Sequence, residues 1–171
     1  MLRAAFATLA DSSGENEMTI TIAEENPLTA DLALLFDRHT ADMHADTPPE
    51  SIYMMDRGAL SAAGIRFFVL RDGGVPMAMG AYKAIAPGHA ELKSMHVLAE
   101  ARGRGLSRRM LDHLQAEASR DGHMRLSLET GIQPTFVAAR ALYERAGFAI
   151  CGPFGDYGPD PNSVFMTRSL G

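Results

Sequence analysis

Four arginines and two glycines crowd into the eight residues 102–109, and no other stretch of the chain carries so plain a chemical signal. Arg102-Gly103-Arg104-Gly105-Leu106-Ser107 sets small residues where backbone N–H groups must come close to a ligand. Leu106, Met110, Leu111, Leu114 and Ala118 then recur at three- and four-residue steps, so a helix with one apolar stripe opens near Gly105. The first donors of a helix lack partners within it, and the macrodipole is positive there. A turn of this kind holds an anion, most plausibly a phosphate. Its cations also reverse the sign of a chain whose net charge is −5. Two familiar phosphate motifs do not fit. A Walker loop needs a Gly-Lys-Ser/Thr step that is absent, and a dinucleotide fingerprint needs a third Gly where Arg108 stands.

The elements that would position this turn follow from periodicity. A strand over residues 88–97 leads into it, and a helix from about Gly105 leaves it. Upstream, alternation after Met18 predicts a strand, and Leu32, Leu35, Phe36 and His39 predict a helix. Residues 43–51, with Pro48 and Pro49, resist regular structure. A short helix follows near residues 56–63, and then two strands (65–71 and 75–85) joined by the hairpin signal Asp72-Gly73-Gly74. Downstream come a strand over 124–129, a break at Pro134, a helix over 136–146 stopped by Gly147, and two closing strands over 148–152 and 164–168 around the loop 153–163. The order β-α-α-β-β-β-α-β-α-β-β is that of an α+β or mixed α/β layer fold.

At 171 residues, 46% hydrophobic and 22% charged, the chain has the size and composition of one soluble domain. No apolar run approaches the length of about eighteen residues that a membrane span needs. Net acidity argues against a general nucleic-acid binder. The single Cys151 forms no internal disulfide, fits a reducing, cytoplasmic compartment, and reads as a small core residue. Residues 1–17 differ in texture and read as a disordered tail, Met18 being a possible native start, with one domain over 18–171.

Two ordered segments resemble the GNAT N-acetyltransferases. Val97 through Ser107 is similar to their pyrophosphate-binding segment, Arg/Gln-x-x-Gly-x-Gly/Ala, with Arg102 and Gly105 matching and Ser107 in place of the usual small residue. Ala138-Ala139-Arg140-Ala141-Leu142-Tyr143-Glu144-Arg145-Ala146-Gly147-Phe148 resembles the family's helix ending in Ala-x-x-Leu-Tyr-x-x-x-Gly-Phe. Leu128-Glu129-Thr130-Gly131, Pro153-Phe154-Gly155-Asp156-Tyr157 and Asp160-Pro161-Asn162-Ser163-Val164-Phe165-Met166 resemble segments of one bacterial subgroup. Phe136 departs from the Asn that many members carry there.

The resemblance implies a central mixed, mostly antiparallel sheet with a splayed parallel strand pair and helices on both faces. It implies acetyl-CoA as co-substrate, no metal, and direct acetyl transfer to a primary amine of a small or amino-acid-like acceptor. The rivals are a non-catalytic acyl-CoA-binding module and a protein-lysine or N-terminal acetyltransferase. Members often dimerise. Met95, His96 and Val97 on the splayed strand, with Arg102, Gly103, Arg104, Gly105, Leu106, Ser107 and Tyr143, would hold the co-substrate. Tyr143 matches the acid that protonates the leaving thiolate, and reads otherwise as a core aromatic. Glu129 is a base or acceptor ligand, or caps the next turn. Glu91, His44, Asp156 and Tyr157 are acceptor-site candidates, each with a structural alternative, and His96 could instead face a packed layer. Lys93 reads as an ion-pair partner.

Overall fold

The computed structural model describes residues 19–171. The tail expected over 1–17 and the start at Met18 lie outside them. In chain order the elements are β1 (Ile20–Glu24), α1 (Ala33–His44), α2 (Arg57–Leu60), β2 (Ile65–Asp72), β3 (Val75–Ala86), β4 (His89–Val97), α3 (Leu106–Arg120), β5 (Arg125–Gly131), α4 (Val137–Arg145), β6 (Ala149–Cys151) and β7 (Ser163–Ser169). One seven-stranded sheet runs β1-β2-β3-β4-β5-β7-β6, antiparallel except between β4 and β5. Among the described residues no helix is long and apolar enough to cross a membrane.

Strand periodicity explains the layers. Phe67 stacks on Phe36 of α1 at 5.7 Å, while its neighbour Phe68 meets His113 of α3 edge-on at 5.0 Å. Successive side chains point to opposite faces, so each face of the sheet carries a helix. Covering both faces is why Phe67, Phe68, Val69 and Leu70 are all buried. Asp56 caps α2 by accepting the Ala59 N–H at 2.7 Å. Gly73 and Gly74 turn the β2–β3 hairpin at φ 55° and 85°.

Gly80 of β3 lets α3 sit close. A Cβ there would lie 2.7 Å from Leu114 Cδ1 and 2.9 Å from Met95 Sδ. Gly80→Ala is expected to cost about 1–3 kcal/mol through overpacking, read as a lower midpoint in denaturant at unchanged slope.

Two expectations need correcting. Residues 43–51 are not irregular throughout, because α1 runs to His44 and Pro49–Ser51 forms a 3-10 turn. Proline suits that first helical position, where its missing N–H is not needed. Cys151 is half-buried on the short strand β6 rather than in the core. That strand pairs with β7 alone, at one end of the sheet.

The feature that shapes the site is where β4 and β5 part. They pair only at His89↔Arg125, Ala90↔Leu126 and Glu91↔Ser127. Beyond that, β4 follows β3 to Val97 and β5 follows β7 to Gly131. A register shift of β4 against β3 between Met79 and Ala81 coincides with Ser94 at φ 55°. A bulge bends its strand, and this one sits where the sheet opens.

Candidate active site

The opening between the strands is a cleft of about 560 Å³. Met95, His96 and Val97 line one side, and Leu128, Glu129, Thr130 and Gly131 the other. Leu142 and Tyr143 of α4 also line it, together with Arg102, Gly103, Gly105, Leu106 and Ser107 before and at the start of α3. Gly103 and Gly105 adopt φ 78° and 74°, and nothing lies within 4 Å of where either would carry a Cβ. Gly105 caps α3 without a side chain, so the opening amides of a fifteen-residue helix face an uncrowded approach.

The arginine cluster is organised differently from the sequence expectation. Arg104 pairs with Asp72 of β2, and Arg108 pairs with Asp112 at 2.8 Å. Arg102 pairs with Asp42 of α1 at 2.7 Å and donates to the Val97 carbonyl at 3.2 Å. Of Arg102, Arg104, Arg108 and Arg109, Arg102 alone lines the cleft. Carboxylates therefore offset most of the cluster's charge, and the backbone of the turn is what faces the opening.

Tyr143 is 7% exposed and packs edge-on against Phe148 at 5.8 Å. Burial, and then the nearby Glu129 charge, raise its phenol well above the ordinary tyrosine value, so it stays protonated. Glu129 accepts a hydrogen bond from Ser163 Oγ at 2.5 Å. Burial pushes its carboxyl above the usual range, against the pull of Ser163 and Lys93, while Asp160 and Glu91 add to the rise. Ser163→Ala is expected to raise the Glu129 value further, by removing a bond made to the charged form. The acid limb of a pH–rate profile should then move to higher pH.

A second cavity, about 530 Å³, meets the first at Tyr53, Met54 and Lys93. At its floor Glu91, only 2% exposed, accepts from Lys93 at 3.2 Å and from Tyr157 Oη, and faces Lys83 at 3.5 Å. Lys93 also donates to Tyr157 Oη at 2.9 Å and to the Tyr53 carbonyl at 3.1 Å, the structural role expected of it. Burial, and then the Glu91 bond, raise the Tyr157 phenol well above normal. Glu91 and Tyr157 are thus brought together, with Asp156 exposed at the rim. His44 is not. It is exposed at the end of α1, where its Nδ1 bonds the Thr40 carbonyl at 2.9 Å, outside both cavities.

Sequence reasoning missed several contributors. Asp160 accepts from Tyr53 Oη at 2.8 Å and Ser51 Oγ at 3.1 Å, tying the segment before α2 to the loop before β7. The Asp-Pro-Asn-Ser pattern was visible, but its partners stand more than a hundred residues away. His39 of α1 meets His96 at 5.3 Å between ring centroids. Both are buried, and His96 also lines the cleft, so packing and cleft are not alternatives for it. Desolvation drives each imidazole down to about 4, with the Asp42 charge opposing it. The folded values lie below the unfolded one near 6.5, so the unfolded chain binds more protons between these limits. Folding stability should hold above pH 6.5 and decline as pH falls towards 4, and His39→Phe with His96→Phe should flatten that decline in denaturant titrations.

The Acetyltransferase (GNAT) family profile matches residues 32–148. The chain is 42% identical over 136 residues to YsnE of Bacillus subtilis (strain 168), named an N-acetyltransferase; this covers 80% of this chain and 90% of that one. It is 40% identical over 156 residues to an Azospirillum brasilense protein named IAA acetyltransferase, covering 88% and 98%. A Salmonella typhimurium acetyltransferase, yncA, solved with its cofactor acetyl-CoA, shares the fold at a TM-score of 0.66 and 20% identity, over 89% of this chain and 94% of that one.

Proposed function

The chain belongs to the acetyltransferase (GNAT) family and is an acyltransferase, and we propose that it moves the acetyl group of acetyl-CoA directly onto a primary amine of a small, amino-acid-like acceptor. The observation that carries this reading is the parting of β4 and β5 beyond Glu91 and Ser127, which opens one cleft reaching from the amides at Gly103–Ser107 to Tyr143. The turn fits a diphosphate, because its two left-handed glycines leave room for phosphate oxygens against the first amides of α3. Arg102 adds a guanidinium at that end, and the edge of β4 released by β5 offers Met95, His96 and Val97 to the pantetheine amides. Acetyl-CoA supplies the activated acyl group as second substrate.

The chain's own groups then divide the work. Glu129, at the cleft and held by Ser163, takes the proton the amine nitrogen loses as its bond to the acyl carbon forms. Tyr143 delivers its phenolic proton to the sulfur as the carbon–sulfur bond breaks, leaving amide and free thiol. The phenolate, a strong base at its raised value, recovers a proton through solvent while Glu129 gives up the one it took, so the cycle closes with no net proton change. A backbone N–H of β4 polarising the acyl carbonyl would stabilise the developing charge. Cys151 lines neither cavity and burial raises its thiol, which favours direct transfer over an acetyl-cysteine route. The purified chain, given acetyl-CoA and a panel of amines, should release free thiol in proportion to acetylated amine. CoA binding with no release for any amine or peptide would overturn the reading in favour of a binding module.

A further inference from the structure

The second cavity holds a positive charge that its own walls leave partly unspent. Its floor is the face of β3 and β4, where Lys83 stands directly across from Glu91 in the ladder. Segments 53–55 and 155–157 form its sides. Two cations, Lys83 and Lys93, meet one carboxylate, Glu91. Lys93 is 10% exposed and spends its three N–H donors on Glu91, the Tyr53 carbonyl and Tyr157 Oη. Lys83 is 35% exposed, and its contact with Glu91 at 3.5 Å is long for a charge-assisted hydrogen bond. Lys83 Nζ is therefore the less engaged of the two cations, with donors to spare for a ligand. Asp156 lies exposed at the rim and balances the cavity's formal charge, but among the described residues no ion pair holds it to Lys83, so the Lys83 donors stay available. Between Lys83 and the wall shared with the cleft, the lining combines the Glu91–Lys93 pair at the floor with aromatic and apolar side chains above it. Tyr53 and Tyr157 meet edge-on at 5.1 Å, beside Met54, Met55 and Ile85.

We propose that this cavity is the acceptor chamber, and that the acceptor is an amine bearing a carboxylate, seated on Lys83, with an apolar or aromatic body between the two groups. The inference rests on the acetyl-transfer reading and selects within it. Tyr53, Met54 and Lys93 line both cavities, so on this reading the amine passes between them into the cleft that Glu129 also lines. A carboxylate on Lys83 orients the molecule with its nitrogen leading, and it takes up the donors that Glu91 leaves unused. A chamber of this volume is ordinary for a small-molecule site.

Two matched series test it on the full chain with saturating acetyl-CoA. One is 4-(aminomethyl)benzoate, its amide and benzylamine; the other is 4-(2-aminoethyl)benzoate, its amide and phenethylamine. In at least one series the carboxylate should exceed both relatives in kcat/KM by about tenfold or more, the loss expected for one hydrogen bond to a charged group, through KM. Lys83→Met should abolish that advantage, and Lys83→Arg should restore it. Turnover with no preference for the carboxylate in either series overturns the proposal while leaving acetyl transfer intact. So does Lys83→Met lowering every member alike, the sign of a structural role through Glu91, or better turnover of the neutral relatives. If no amine is turned over, calorimetry with CoA present and the N-acetylated series decides. Tighter binding of the carboxylate, lost in Lys83→Met, supports the chamber as a site; equal or undetectable binding overturns it.

Discussion

Tyr143→Phe is expected to lower kcat by about a hundredfold or more, the usual scale for a positioned general acid, while the dissociation constant for CoA stays within about twofold. The substitution removes one oxygen from a ring that is 7% exposed and keeps its packing against Phe148, so the fold should not change. On the proposed mechanism, what is lost is the proton that meets the departing sulfur. The dry surroundings that raise the phenol also penalise a bare thiolate, so the leaving group's need for that proton is greatest in this site. Thiol release measures kcat and calorimetry measures affinity. An unchanged kcat would return Tyr143 to the role of a core aromatic.

Glu129→Gln carries the second large effect, a fall in kcat/KM of about a hundredfold or more, together with loss of the acid limb of the pH–rate profile. The sign follows from the site. Burial raises the Glu129 carboxyl, so the base form disappears as pH falls through a value above the ordinary glutamate range near 4.3. Activity in the unmodified chain should therefore rise with pH across that window, and the glutamine variant should show no such rise. The bond from Ser163 makes a separate prediction available, because its removal shifts the limb without deleting it. Retention of the limb in the Glu129 variant would assign the base to another group.

Much of this protein was legible in one dimension. The hairpin at Gly73-Gly74, the apolar stripe from Leu106 to Ala118, the glycine turn before it and the order of the elements all rest on preferences expressed within a few residues. Chain conformation and the side a residue buries are local properties, so periodicity and turn residues report them. The family resemblance rested on two such local segments, and the match over residues 32–148 bears it out.

What the tertiary structure alone decided is which groups meet. The arginine cluster looked like a free cationic patch, yet Asp42 and Asp72 reach it from α1 and β2, sixty and thirty-two residues away. Lys83 and Glu91 become partners through the ladder between β3 and β4, His39 and His96 through the packing of α1 on the sheet, and Asp160 joins Tyr53 across the molecule. The sequence by itself determined the elements and the turn before α3. The parting of β4 from β5, the two cavities and the ionic partners were decided by strand register and helix docking, because those depend on contacts between distant segments that leave no period in the chain.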